Sequence, residues 1–449
     1  MHREMIVAMN WDFLIKDKDS LCVSTDTRNL PAGCVFFALH GERFDGNKFA
    51  QQALESGASL AVIDNPEVFA AYSQSPIAHS RILLVEDTLL ALQELARAWR
   101  RELGLPIIAI TGTNGKTTTK ELLAAVLSTK YNIHYTQGNL NNQIGVPLTL
   151  LQITRAHEMA IVEMGASHPG DIKELVDIAE PNYGLITNVG RAHLEGFGSF
   201  EGVQRTKQEL YDYLVAHNGT IFRNVDNTYL MRMHENALAS LLSGVPENAC
   251  GILGCSSPFA SGVPEKSADF WGALSPITYT TGTMPSGTNL VGGYNAENVS
   301  AALCVGAYFG VSKEQALEAV RRYVPTNNRS QAMQTANNQL IVDAYNANPT
   351  SMQAAINAFK GDTYILGAMR ELGEYSHLEH QNVVNMLAER KADWVFLVGE
   401  EYLQTTSPYP VYENVEQLHE YLEANPLKGK NILLKGSRST KMEKLLDIL

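Results

Sequence analysis

The run IIAITGTNGKTTTKELLAAVL, residues 107–127, constrains this chain more than any other. Ile107 to Ile110 is a short apolar stretch suited to a buried parallel strand. Thr111 to Gly115 has no apolar side chain and holds two glycines, so it can turn sharply and present N–H groups inward. From Lys116 onward the pattern is helical, with Leu122, Leu123, Val126 and Leu127 on one face. Strand, glycine loop and helix N-terminus in succession make an anion cradle. Its members here are Gly112, Thr113, Asn114, Gly115, Lys116, Thr117 and Thr118. Lys116 adds a point charge for β- and γ-phosphates, and the Thr117 hydroxyl suits Mg²⁺. The spacing departs from G-x-x-x-x-G-K-[ST]. Ile110 stands where the first glycine belongs, and the extra glycine is Gly112.

Around this loop the chain alternates strand and helix signals, which points to an α/β protein. The 449 residues suggest three domains, at roughly 150 residues each. Residues 1–84 hold strand-like VFFALHG and LAVID with a helix, NKFAQQALESGA, between them. Residues 85–325 open on the periodic helix DTLLALQELARAWRREL and continue through MAIVEMG, YGLITNVG, FEGVQRTKQELYDYL and NAENVSAALCVGAYFG. This order favours a mostly parallel sheet covered on both faces. VPTNNRSQ, residues 324–331, is a connector and a hinge for closure of the last domain. Residues 326–449 repeat the strand–loop–helix rhythm in QLIVDAYNANPTSMQAAINAF, TYILGAM, DWVFLVG and NILLKGSRSTKMEKLLDIL. They resemble a Rossmann-like doubly wound unit without its glycine fingerprint.

Composition narrows the function. With 45% hydrophobic residues and a net charge of -13, the chain can bury real cores and is not a general nucleic-acid binder. Cys22, Cys34, Cys250, Cys255 and Cys304 include no C-x-x-C, which predicts free thiols in a reducing compartment. No apolar run approaches the roughly 20 residues of a membrane helix, and the first residues lack a signal-peptide core. The expected location is the cytoplasm, with no membrane insertion.

A phosphate loop needs an acid for magnesium, and Glu163 ends an apolar strand where such an acid belongs. His193 follows the next strand, at the end where open α/β sheets gather ligands. Lys207 lies on the helix beyond it. An ammonium repels a metal, whereas a lysine carbamate formed with CO₂ is an anion. Composition and spacing alone leave Lys207 as a solvated helix lysine.

Taken in order, TGTNGKTTTKE, GNLNNQIGVPLTLL, VEMGAS, TNVGRAHLEGFGSFEGVQRTKQEL, YNAENVSAAL, VDAYNANPTSM and LLKGSRSTKME resemble the Mur ligase family across nearly the whole chain. That family uses T-G-x-x-G-K-[ST], so Ile110 is the end of the strand. The resemblance implies an ATP-dependent acid–amino-acid ligase of peptidoglycan synthesis. It implies that ATP phosphorylates the terminal carboxylate of UDP-N-acetylmuramoyl-tripeptide and that the amine of D-alanyl-D-alanine attacks the acyl phosphate. It further implies two Mg²⁺ ions, one on Thr117 and Glu163, the other on His193 and carbamylated Lys207. Asn295 and Asn298 fall at the adenine end. Arg329 and Asp343 reach the γ-phosphate and ribose from the last domain. Asp26, Thr27 and Arg28 grip UDP, and Thr27 stands where the family more often has serine. Asn139 and Asn142 face the substrate peptide. Asn346, Asn348, Lys435, Ser437 and Arg438 form the D-alanyl-D-alanine side, and the expected state is a monomer. Ala368 stands where the family usually has aspartate. Two alternatives remain open: a sister ligase, adding the third residue or acting on folate-type polyglutamate, and a noncatalytic nucleotide-binding relative. The Asp-Asn-Pro-Arg motif of the third-residue ligase is absent.

Overall fold

A computed structural model describes residues 9–41, 44–72, 80–243, 276–325 and 328–449. Two residues of the 324–331 connector therefore lie outside the described set. The fold is α/β with three main sheets. By packing, the chain divides into two compact units. One comprises residues 1–109, 131–165 and 173–183; the other comprises 110–130, 166–172 and 184–449.

In the first unit, four short strands pair in parallel in the order Val23–Ser24, Val35–Phe37, Leu60–Ile63, Ile82–Leu84. Phe36, Ala61 and Ile63 bury one core with Ala50 and Ala53 of the helix Ala50–Glu55. The helix Thr88–Leu103 starts where the sequence predicts. The Asp87 carboxylate accepts from Leu90 N at its first turn, and Gly104, at φ 63°, ends it. That left-handed stop suits glycine, which lacks the Cβ penalty.

Cys22 and Cys34, expected as free thiols, lie just ahead of neighbouring parallel strands, where Val35 N donates to Cys22 O. That pairing brings their Cα atoms to 4.5 Å and sets the two side chains against each other. Cys304 is free, and Cys250 and Cys255 lie outside the described residues.

The phosphate-loop strand Ile107–Thr111 belongs to a six-stranded sheet. The order there is Ile277–Tyr279, Thr220–Asn224, Tyr183–Ile186, Ile107–Thr111, Met159–Glu163, Ile133–Tyr135. Ile107–Thr111 and Met159–Glu163 are buried at every position, as central parallel strands are.

The third sheet, within the second unit, runs Gln331–Gln334, Gln339–Asp343, Asn431–Lys435, Thr363–Gly367, Trp394–Val398, Val411–Tyr412. The first pair is antiparallel and the rest are parallel. The predicted helix after Asn431–Lys435 is absent. Two 3₁₀ turns, Arg438–Thr440 and Met442–Leu445, stand there, separated by Lys441 at φ 51°. They still deliver Met442 and Leu445 to the core. No described helix is long and apolar enough to cross a membrane.

Candidate active site

The loop between Thr111 and Lys116 is held from below by the segment after Tyr183–Ile186. Thr113 N donates to Asn188 O at 3.0 Å, Asn114 N to Asn188 Oδ1 at 3.0 Å, and Thr187 Oγ1 to Asn114 O at 2.6 Å. Its shape demands both glycines. A Cβ on Gly112 (φ 144°) would meet Thr187 Oγ1 at 2.0 Å, and one on Gly115 (φ 77°) would meet Asn298 Oδ1 at 2.4 Å. The N-cap of the helix Lys116–Leu127 is Gly115, which has no side chain of its own to cap it, and the helix dipole favours an anion at that end. Lys116 Nζ donates to the carbonyls of Gly112 and Thr113 at 2.8 and 3.1 Å.

Asn295 and Asn298 are buried and brace this loop. Asn298 Oδ1 accepts from Thr119 Oγ1 at 3.1 Å, Asn298 Nδ2 donates to Asn295 Oδ1 at 3.0 Å, and Asn295 Nδ2 donates to Val291 O at 2.7 Å. Both amides are thus engaged with the scaffold of the loop.

The last domain reaches the same loop. Asn348 begins the helix Pro349–Ala358 in a capping box with Ser351. Its Nδ2 also donates to Asn114 Oδ1 at 2.8 Å. Asp343, ending its strand, accepts from Lys435 Nζ at 2.5 Å and from Ser330 N at 3.2 Å. Lys435 is buried, so its charge serves Asp343; Asn346 contributes its carbonyl at 3.3 Å. Arg329 stacks on Tyr345 at 3.7 Å and exposed Arg438 approaches the same ring at 5.5 Å. Arg329 Nε is buried without a hydrogen-bond partner. Ser437 is buried and its hydroxyl meets Ser439 Oγ at 3.1 Å. Ala368 is fully buried, and a Cβ on Gly399 would come within 2.6 Å of its own. The position belongs to the core that includes Met369, Leu372 and Tyr402.

His193 adopts φ 51° at the start of the short helix Leu194–Phe197. Its Nδ1 lies against the Glu371 carboxylate. That contact holds the Glu371 carboxyl below its ordinary range. Lys207, on the helix Phe200–Ala216, is buried. Burial first, and then the charge of Lys116, drives its ammonium well below the ordinary lysine range. Phe197 receives both groups. The Lys207 amine lies 5.8 Å from its ring and His193 packs edge-on at 6.3 Å.

Within the first unit, Glu163 is buried and accepts from Asn141 Nδ2 at 2.8 Å. Asn142 Oδ1 accepts from Ile144 N at 3.2 Å and from Gly145 N at 2.9 Å, just ahead of the helix Gly145–Leu151. Asn139 is exposed. Asp26 pairs with Arg28, whose Nε is 2.9 Å from Oδ1; this bonding lowers the Asp26 pKa to about 2. Thr27 is half-buried between them. A cleft of about 900 Å³ in this unit is lined by His40, Asp45, Asn47, Lys48 and Asp64, among others.

Three family models match in chain order: the Mur ligase catalytic domain over residues 22–100, the Mur ligase middle domain over 110–306, and the Mur ligase glutamate ligase domain over 328–438. The chain is 34% identical over 443 residues to UDP-N-acetylmuramoyl-tripeptide–D-alanyl-D-alanine ligase of Bacillus subtilis, covering 95% of this chain and 92% of that one. The chain belongs to the Mur ligase family. It is also 33% identical to the enzyme of the same name from Escherichia coli, over 95% and 93% of the two chains. Among solved structures it resembles MurF from Acinetobacter baumannii at 28% identity, covering 95% and 92%, with a TM-score of 0.73. It resembles MurF ligase from Thermotoga maritima in complex with ADP at 25% identity, covering 96% and 98%, with a TM-score of 0.74.

The residues of this Mur ligase fit a nucleotide with magnesium. A Cβ would fill the glycine cradle at two points, and Arg329 Nε has no partner to lose. Among the described residues no three His, Cys, Asp or Glu converge on a metal position. Reading the chain from its motifs misses Asn141, Phe197, Glu371 and the clamp Asn188. Glu371 follows the strand Thr363–Gly367, so the strand-end rule extended to the third sheet finds it. Nothing in the sequence separates Asn141 from its neighbours.

Proposed function

We propose that this protein is an ATP-dependent ligase that joins D-alanyl-D-alanine to UDP-N-acetylmuramoyl-tripeptide in peptidoglycan precursor synthesis, releasing ADP and phosphate. The observation that carries the reading is one compact unit that places Lys116, buried Lys207 and the amide pair Asn114–Asn348 around the phosphate loop. The named relatives at 33–34% identity support the substrates.

The chemical problem is that a carboxylate is a poor electrophile and several anions must meet. Lys116 and the N-terminus of Lys116–Leu127 stabilise charge on the β- and γ-phosphates as the γ-phosphoryl group passes to the peptide carboxylate. Gly112, Thr113, Asn114, Gly115 and Thr118 complete the cradle. The amine of D-alanyl-D-alanine then attacks the acyl carbon, and phosphate leaves from the tetrahedral intermediate. When bound, two Mg²⁺ ions offset phosphate charge. Thr117 and Glu163 would hold one; His193 and, once carbamylated, Lys207 would hold the other. A buried amine kept neutral is the form that reacts with CO₂.

Asn295 and Asn298 support the adenine side by bracing the loop. Asp343 meets ribose, with Lys435 fixing its carboxylate, and Arg329 meets the γ-phosphate. Arg438 supplies the cation for the dipeptide carboxylate, with Ser437, Asn346 and Asn348 beside it. Asp26, Thr27 and Arg28 hold UDP, and Asn139 and Asn142 border the peptide. Domain boundaries fall near residues 84 and 325. The enzyme works as a cytoplasmic monomer, and its net charge of -13 is consistent with no nucleic-acid partner. The test is phosphate release dependent on both ATP and D-alanyl-D-alanine, with the product mass read for tripeptides ending in lysine and in diaminopimelate. Phosphate release that ignores D-alanyl-D-alanine would overturn the assignment.

A further inference from the structure

We infer that Glu371 is a positioning residue for His193, so that the last domain sets the proton and orientation of a central-domain metal ligand. The two residues come from different strand ends, beyond Tyr183–Ile186 and beyond Thr363–Gly367. Nδ1 of His193 lies against the Glu371 carboxylate. Glu195 N also donates to Glu371 O at 3.4 Å, so backbone as well as side chain joins the two loops. Neither residue is glycine, yet both take left-handed backbone, His193 at φ 51° and Glu371 at φ 62°. Such conformations cost free energy and persist where surrounding contacts over-determine them. Here those contacts are mutual.

Further contacts hold the same segment. Arg191 pairs with Glu379 at 3.1 Å, and Arg191 N donates to Thr350 Oγ1 at 3.0 Å. The segment is thus docked at three places on the last domain, and of those three it is Glu371 that meets the imidazole. That difference separates docking from positioning.

The chemical consequence concerns the tautomer. A neutral imidazole carries one proton, and a carboxylate on Nδ1 draws it there. Nε2 is then left with its lone pair, the state a metal requires. Carboxylate–histidine–metal arrangements use this device, and their outer partners strongly affect affinity. In this protein the carboxylate arrives with the last domain, so docking of that domain and readiness of His193 become one event.

This inference rests on the proposed reading of His193 as a Mg²⁺ ligand, and the experiment separates the two. Full-length enzyme is prepared with ¹⁵N-labelled imidazoles, and the His193 signals are assigned by their loss in His193→Asn. Two-bond ¹H–¹⁵N spectra are recorded at about pH 9, where imidazoles are neutral. The wild type is expected to carry the proton on Nδ1. Glu371→Gln, whose amide oxygen still accepts, should keep that tautomer, and Glu371→Ala should lose it. Glu379→Ala, which breaks the neighbouring ion pair with Arg191 and a bond from Asn382 but leaves Glu371 in place, should leave it unchanged. In calorimetry with ADP, the gain in affinity on adding Mg²⁺ should fall by about 10- to 100-fold in Glu371→Ala. Should that variant lose its fold by circular dichroism, Glu371→Ser carries the same test. An unchanged tautomer in Glu371→Ala, or an equal change in Glu379→Ala, overturns the inference. If His193→Asn keeps the full Mg²⁺-dependent gain, the metal reading of His193 fails instead, while the spectra still decide the role of Glu371.

Discussion

Replacing Gly115 with alanine tests how the phosphate loop is built. Gly115 sits at φ 77°, and a Cβ there would lie 2.4 Å from Asn298 Oδ1. The backbone conformation alone costs an L-residue about 1–2 kcal/mol. The contact adds more, because Asn298 is buried and cannot simply swing into solvent. Moving it breaks its bonds with Thr119 and Asn295, worth about 0.5–1.5 kcal/mol each. The single variant should therefore be destabilised by roughly 2–5 kcal/mol. The decisive measurement is a double-mutant cycle. Asn298→Ala removes the obstructing oxygen in advance, so the double variant pays the backbone strain but not the collision. It should be less destabilised than the sum of the single variants by about 1–3 kcal/mol. Denaturant unfolding followed by tryptophan fluorescence gives the energies, and ADP calorimetry reports whether the loop recovers its shape. Additive effects would refute the argument that Asn298 is the wall against which Gly115 is packed.

Lys116→Ala should abolish turnover while leaving the far-ultraviolet circular dichroism unchanged, because the bonds of its amine to the Gly112 and Thr113 carbonyls lie within its own loop; near-normal phosphate release from a folded variant would remove the phosphate-loop assignment. Lys207→Ala should be nearly inactive, and short carboxylic acids should restore part of the rate by standing in for a carbamate; full activity without rescue returns Lys207 to a structural role. Lys435→Met should destabilise the protein by about 3–5 kcal/mol by stranding the Asp343 carboxylate, and Asp343→Asn in the same chain should recover much of it on a denaturation curve. His134 supplies a pH dependence: burial, then neighbouring His157, lowers its pKa from 6.5 to about 4. The unfolded chain therefore binds the proton first, so stability is complete above pH 6.5 and is lost as pH falls toward 4, by about 2 kcal/mol for this partly buried group. His134→Asn should flatten that part of the melting-temperature profile, and an unaltered slope would show that other groups govern it.

The local elements were legible because their signals are local. The apolar run at 107–110 became Ile107–Thr111, and the periodic stretch beginning at Asp87 became Thr88–Leu103. The exception was the end of the chain, where KMEKLLDIL reads as a helix. Lys441 in left-handed backbone breaks the run into two turns, while the apolar side chains still reach the core. Burial was satisfied without the helical period, and periodicity alone cannot tell those outcomes apart.

The candidate site divides in the same way. The sequence by itself determined the phosphate cradle, since strand, glycines, lysine and helix start are contiguous and their geometry follows from local backbone chemistry. The order of motifs likewise carried the family resemblance. Only the tertiary structure decided how charges are shared among distant residues. Lys435 looked like a cation for a dipeptide carboxylate, but its amine is committed to Asp343, which pairs with it across neighbouring strands. Asn142 and Asn141 are neighbours in one motif, yet the Asn142 amide oxygen bonds to backbone at Ile144 and Gly145, while Asn141 reaches Glu163. Lys207 looked like a surface lysine and is buried near Lys116. Charge, hydrogen bonding and burial are properties of neighbours in space. Where those neighbours lie tens or hundreds of residues apart, no local pattern encodes the pairing, and only the packed chain brings it about.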